Sequence, residues 1–104
     1  MKVRIVLSGT NKIDTYIIKT ETSCFCSNQG EKKIDTTKFF DKFFTITKDW
    51  PEELEEPSIQ DGTSCVIMFK NNEEEKVYMF HNKFPENFND LINFLGGYEN
   101  GSIN

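Results

Sequence analysis

Residues 61–97 read as a β-hairpin feeding one amphipathic helix, with a turn or capping residue at each boundary. Asp61-Gly62 opens the unit, because glycine takes the positive φ that a sharp turn demands. Residues 63–70 form a strand, Asn71, Asn72, Glu73 and Glu74 turn the chain, and residues 75–81 return. Pro85 cannot continue the ladder, since it has no amide hydrogen to give. Phe88, Leu91, Ile92 and Leu95 then fall at i, i+3, i+4 and i+7, a spacing that predicts a helix with one apolar face, ended by Gly96-Gly97. A chain carrying this unit is committed to antiparallel sheet covered by helix, whatever the rest does.

The first half repeats the theme. Val3, Ile5 and Leu7 alternate with Lys2, Arg4, Val6 and Ser8, which is strand periodicity. Residues 8–11 turn, residues 13–20 return as a second strand, and a third is expected across 21–27. After a turn at Ser27, Asn28, Gln29 and Gly30, a helix begins near Asp35, Thr36 or Thr37, any of which can cap its first amides. Phe39, Phe40, Phe43, Phe44 and Ile46 form its inner face, and Pro51 stops it by Trp50. The expected fold is therefore α+β: an antiparallel sheet of four to five strands, with both helices on one face, in the order β-β-(β)-α-β-β-α. Residues 1–97 make a single domain and residues 98–104 a flexible tail.

A chain of 104 residues buries roughly two thirds of its unfolded surface, enough to fold without metal, disulfide or cofactor. Ten Phe and no Ala point to a phenylalanine-rich core. No run is long enough to span a membrane, and residues 1–7 are too short and too alternating for the apolar region of a signal peptide. With three cysteines, an odd number, these features make the expected location cytoplasmic.

Charge is uneven along the chain. The net −5 divides into +4 over residues 1–48 and −9 over residues 49–104. The second half concentrates it in Glu52, Glu53, Glu55 and Glu56, in a proline-bounded loop with Leu54 and Ile59 as its apolar anchors, and in Glu73, Glu74 and Glu75 at the hairpin tip. Nucleic acid is disfavoured, because phosphate contacts dominate that affinity and the chain has one Arg. A protein partner with a basic surface suits the acidic half, with Trp50, Leu54 and Tyr78 as apolar or aromatic anchors.

The second hairpin adds another surface. Cys65, Ile67 and Phe69 alternate with Val66 and Met68, and Tyr78 and Phe80 with Val77 and Met79. Either the hairpin is buried on both faces, or its outer row is a contact surface, self-association included.

Trp50, the Asp61-Gly62-Thr63-Ser64 hairpin opening and Asn82-Lys83-Phe84-Pro85-Glu86-Asn87-Phe88 before the last helix resemble a set of small uncharacterised proteins of low-GC Gram-positive bacteria. The likeness covers about residues 36–96 and implies a shared α+β fold, with no activity to transfer.

Catalytic signatures are missing from the sequence: no Gly-x-Ser-x-Gly elbow, phosphate-binding loop, dinucleotide fingerprint or His-Glu-x-x-His helix. The expectation is a non-enzymatic interaction module of inhibitor or immunity type. Cys24 and Cys26 would share one face of a strand, and with Cys65 and the lone His81 they sketch an alternative, a small thiol or metal protein.

Overall fold

The computed structural model describes residues 1–58 and 62–101. Lys2–Gly9 (β1) and Lys12–Lys19 (β2) pair across a two-residue turn, Cys24–Ser27 (β3) adds to β2, and Gly30–Lys33 (β4) adds to β3. Helix α1 (Thr36–Thr47) follows. Glu53–Glu55 (β5), Ser64–Lys70 (β6), Glu75–His81 (β7) and helix α2 (Phe88–Glu99) complete the chain.

The described residues form a seven-stranded sheet in the order β4-β3-β2-β1-β6-β7-β5, antiparallel throughout except that β5 runs parallel to β7. The α+β class and the mostly antiparallel sheet follow the sequence reading; the four to five strands it predicted fall short by β4 and β5. Both are polar. Strand β4 reads Gly-Glu-Lys-Lys, and its existence comes from the tight Ser27↔Gly30 hairpin rather than from apolar alternation. Strand β5 is Glu-Leu-Glu, held by hydrogen bonds from the Glu56 amide to the His81 carbonyl (2.9 Å) and from the Met79 amide to the Glu52 carbonyl (2.7 Å). At the opening of β6, Asp61 lies outside the described residues, as does the apolar anchor Ile59.

One face of the sheet is covered. Val3, Ile5, Tyr16, Ile18, Phe25, Cys65, Ile67, Phe69, Tyr78 and Phe80 meet the inner faces of both helices in a single apolar cluster. Asp35 caps α1 by accepting from the Lys38 amide at 3.2 Å, settling which of the three capping candidates is used. Phe39, Phe40, Phe43 and Ile46 are buried as expected, but Phe44 is 38% exposed. At about 100° per residue, Phe44 lies roughly 140° round the helix from Phe39, beyond the arc that Ile46 and Thr47 occupy.

Helix α2 starts at Phe88, where its apolar spacing begins, but runs past its expected end. Asn87 occupies the N-cap position without a capping bond, because its side chain is used elsewhere: Trp50 Nε1 donates to Asn87 Oδ1 (2.6 Å), and Asn87 Nδ2 donates to the Ile46 carbonyl (2.9 Å). Gly96-Gly97 does not end the helix. Tyr98, assigned from sequence to a flexible tail, is buried against Phe25, Phe39 and Phe94. Lys32 Nζ then donates to the carbonyls of Tyr98 (2.7 Å) and Glu99 (3.0 Å), placing a cation on the negative end of the helix. The inner face is Leu91, Phe94, Leu95 and Tyr98, with Phe88 and Ile92 half-buried at its margin. Residues 102–104 of the expected tail lie outside the described residues.

Candidate functional site

Neither helix covers the second face of the sheet, and pairing register fixes what stands on it. Residues paired across strands share a face. One row runs Glu75, Lys70, Lys2, Lys19, Cys24, Lys33; the next runs Val77, Met68, Arg4, Ile17, Cys26, Glu31; a third runs Glu53, Met79, Val66, Val6, Thr15. A fourth holds Glu55, His81, Ser64, Ser8 and Ile13. The outer row of the second hairpin is therefore a surface: Met79 is 54% exposed, Met68 45% and Val77 44%. Several large apolar side chains side by side on an exposed sheet face form the kind of patch that contact sites use.

Charge of both signs borders the apolar rows, with Arg4 beside Met68 and Glu75 beside Lys70. Lys70, Lys2, Lys19 and Lys33 line one end of the face, while glutamates border its β5 edge. Glu52, Glu53 and Glu55 are exposed, as are Glu73, Glu74 and Glu75 at the β6–β7 turn, which Asn71 shapes by accepting the Glu73 and Glu74 amides at 2.8 Å. Glu75 pairs with Lys70 at 3.6 Å in an exposed contact of small value. Glu56 is engaged by the exposed Ser58, whose hydroxyl (2.6 Å) and amide (3.3 Å) hold its carboxyl below the usual range. The Lys76 ammonium's pKa is raised, most by its contact with Tyr78, with smaller contributions from Glu52 and Glu74. Alternation along β5 turns the backbone groups of Glu53 and Glu55 to the outer edge, where short length and like charge guard against strand addition.

The aromatic anchors expected from sequence do not belong to this surface. Trp50 is buried, its ring 5.5 Å from Phe80, 5.9 Å from Phe88 and 6.2 Å from Tyr78, centroid to centroid. Tyr78 is buried beside it, and Leu54 packs half-buried on the same core. Alternation puts Tyr78 and Phe80 under the helices, leaving Met68, Val77 and Met79 as the exposed apolar residues of the hairpin.

Of the four residues of the metal alternative, Cys24 and Cys26 stay together while Cys65 and His81 lie apart from them. Cys65 points into the core and His81 stands on the open face, where its Nδ1 lies 2.7 Å from Ser64 Oγ. From β7 to β3 there are four strand spacings, about 19 Å, so His81 does not reach Cys24 or Cys26. The two strand cysteines instead meet each other and a carboxylate. Cys24 Sγ lies 3.1 Å from Cys26 Sγ and donates to Glu31 Oε1 at 2.9 Å. Glu31 was missed in the sequence reading because β4 was missed; a two-residue turn at Asn28 and Gln29 places Glu31 opposite Cys26.

Burial pushes the Cys65 thiol up to about 12, above the value of about 8.5 in an unfolded chain. Between those values the folded state keeps a proton that the unfolded state has released. Stability from this group is therefore complete below about pH 8.5 and declines as pH rises toward 12. Urea midpoints should fall between about pH 8 and about pH 10, and the fall should be shallower in Cys65→Ala.

Several clefts flank the sheet ends, the one beside Phe84, Phe88 and Ile92 measuring about 380 Å³ with Lys12 and Asp14 at its rim. No helix among the described residues is long and apolar enough to cross a membrane. No family model, no curated protein and no solved structure matches the chain.

Proposed function

We propose that this protein is a cytoplasmic, non-enzymatic interaction module of inhibitor or immunity type. It binds a basic protein surface through the β6–β7–β5 half of its open sheet face. Met68, Val77 and Met79 are the apolar centre of the contact; Glu52, Glu53, Glu55, Glu73 and Glu74 are its rim. The observation that carries the reading is the exposed Met–Val row lying beside carboxylates, none of which forms a salt bridge among the described residues. Such a rim steers a cationic partner and the apolar centre holds it.

Capture of partners from source lysate, repeated with Glu52→Gln/Glu53→Gln/Glu55→Gln and with Met79→Lys, tests the proposal. The triple variant should bind on the order of tenfold more weakly and lose most of its salt dependence, since rim charges act through screened fields. Met79→Lys should abolish capture. Unchanged binding in both variants contradicts the proposal. The same row allows a second reading, a homodimer through the open faces, and sedimentation as a monomer at high concentration excludes it.

A further inference from the structure

At the opposite margin of the open face, the β3–β4 hairpin brings two thiols and a carboxylate to one point. Cys24 and Cys26 share a face because they are two residues apart in a strand, and Glu31 is the cross-strand partner of Cys26. The contacts form a chain: Cys24 donates to Glu31 across 2.9 Å, which leaves Cys26 to donate to Cys24 across 3.1 Å. Each contact is held by one thiol proton, and the three ligand atoms lie within 4.8 Å of one another. We propose that these two protons are exchangeable for a single thiophilic divalent cation of the zinc or cadmium type, bound by Cys24 Sγ, Cys26 Sγ and a Glu31 oxygen.

The donor set selects the metal class. Thiolates with one carboxylate suit a tetrahedral d10 ion, whereas magnesium and calcium require oxygen ligands. With bonds of about 2.3 Å, two sulfurs on a tetrahedral ion stand about 3.8 Å apart, so the pair must open by roughly 0.7 Å, a small rotation of each side chain. A disulfide demands more. It would have to close the pair to about 2.05 Å while the flanking α-carbons stay about 6.6 Å apart, near the upper limit of disulfide geometry, in an extended strand. Cation binding releases both thiol protons, leaving a net charge of −1 on two thiolates, one carboxylate and the ion. Lys19 and Lys33, the two cross-strand neighbours of Cys24, offset it. Cys24 is buried and Cys26 half-buried, so the fourth position opens to solvent on the Cys26 side, for water.

Cadmium alone, titrated into the reduced full-length protein, is the probe, read by the ultraviolet thiolate-to-cadmium charge-transfer band. One equivalent should saturate the band in the wild type and in Cys65→Ala. Cys24→Ser and Cys26→Ser should each lose the band at that concentration. Glu31→Gln, an exposed change that leaves the core untouched, should weaken binding on the order of tenfold while keeping the band at saturation. Absence of the band in folded, reduced wild type overturns the proposal, as does its persistence in both serine variants, its loss in Cys65→Ala, or unchanged affinity in Glu31→Gln.

Discussion

Phe39→Ala should lower stability by about 3–5 kcal/mol, a large share of the 5–15 kcal/mol typical of a domain. Phe39 is fully buried and stands at the centre of the aromatic core, with ring centroids at 5.0 Å to Phe94, 5.4 Å to Tyr98, 5.5 Å to Phe40, 6.1 Å to Phe43 and 6.3 Å to Phe25. Truncation removes contacts to α1, α2 and β3 at once, and none of those elements can close the gap without giving up other packing. The melting temperature should drop by on the order of 15–30 °C. Phe44→Ala, an identical chemical change one turn along the same helix, should cost only about 1–2 kcal/mol, because that ring is partly in water already. Equal losses in the two variants would show that the burial pattern of α1 is wrong.

Gly62→Ala should be nearly as disruptive, for a different reason. A β-carbon at Gly62 would fall on the side-chain amide of Asn82. That amide is held where it is by hydrogen bonds: its Oδ1 accepts from the Thr63 amide at 2.8 Å, and the Asn82 backbone amide donates to the Thr63 carbonyl at 2.8 Å. Overpacking of this kind costs about 1–3 kcal/mol, and losing the Thr63 bond adds about 1 kcal/mol. The obstruction can be removed from the other side. Asn82 has a φ of 61°, which glycine adopts without strain, so Asn82→Gly should rescue Gly62→Ala. In a double-mutant cycle measured by urea unfolding, the two changes should couple by more than about 1 kcal/mol; simple additivity would contradict the contact.

Where the apolar pattern was periodic, the sequence was a good guide. Strand β7 spans residues 75–81 as read from its alternation, and the inner row of β1 is Val3 and Ile5 as expected. Helix α1 begins at one of its three candidate caps. Apart from β4, which its tight hairpin with β3 defines, the features that escaped depend on partners far away in the chain. Strand β4 has no apolar row because its Lys32 serves as a helix cap 66 residues on. Tyr98 extends α2 because β3 and α1 supply a place for its ring. Trp50 looked like a free anchor beside an acidic loop, yet Asn87, 37 residues later, accepts the hydrogen bond of its indole N–H and holds it in the core. The same diversion explains why Asn87 does not cap the helix it precedes.

The candidate surface was half legible. Alternation in the second hairpin made its outer row either buried or a contact surface, and the exposure of Met68, Val77 and Met79 among the described residues decides between them. The acidic residues were identifiable from composition, but their position beside Met79 depends on the parallel pairing of Glu53–Glu55, a strand too short and too charged to announce itself. The thiol–carboxylate cluster needed the β3–β4 register as well, which places Glu31 rather than Cys65 or His81 beside the cysteine pair.

The proposed contact depends on the uncovered sheet face, with the helices serving to close the core. Hydroxyl-radical footprinting of the protein with its captured basic partner tests this most directly. Met68 and Met79 should be protected on binding while Phe44, on the outer margin of α1, stays as reactive as in the free protein. Protection of α1 with Met68 and Met79 left fully reactive would contradict the assignment.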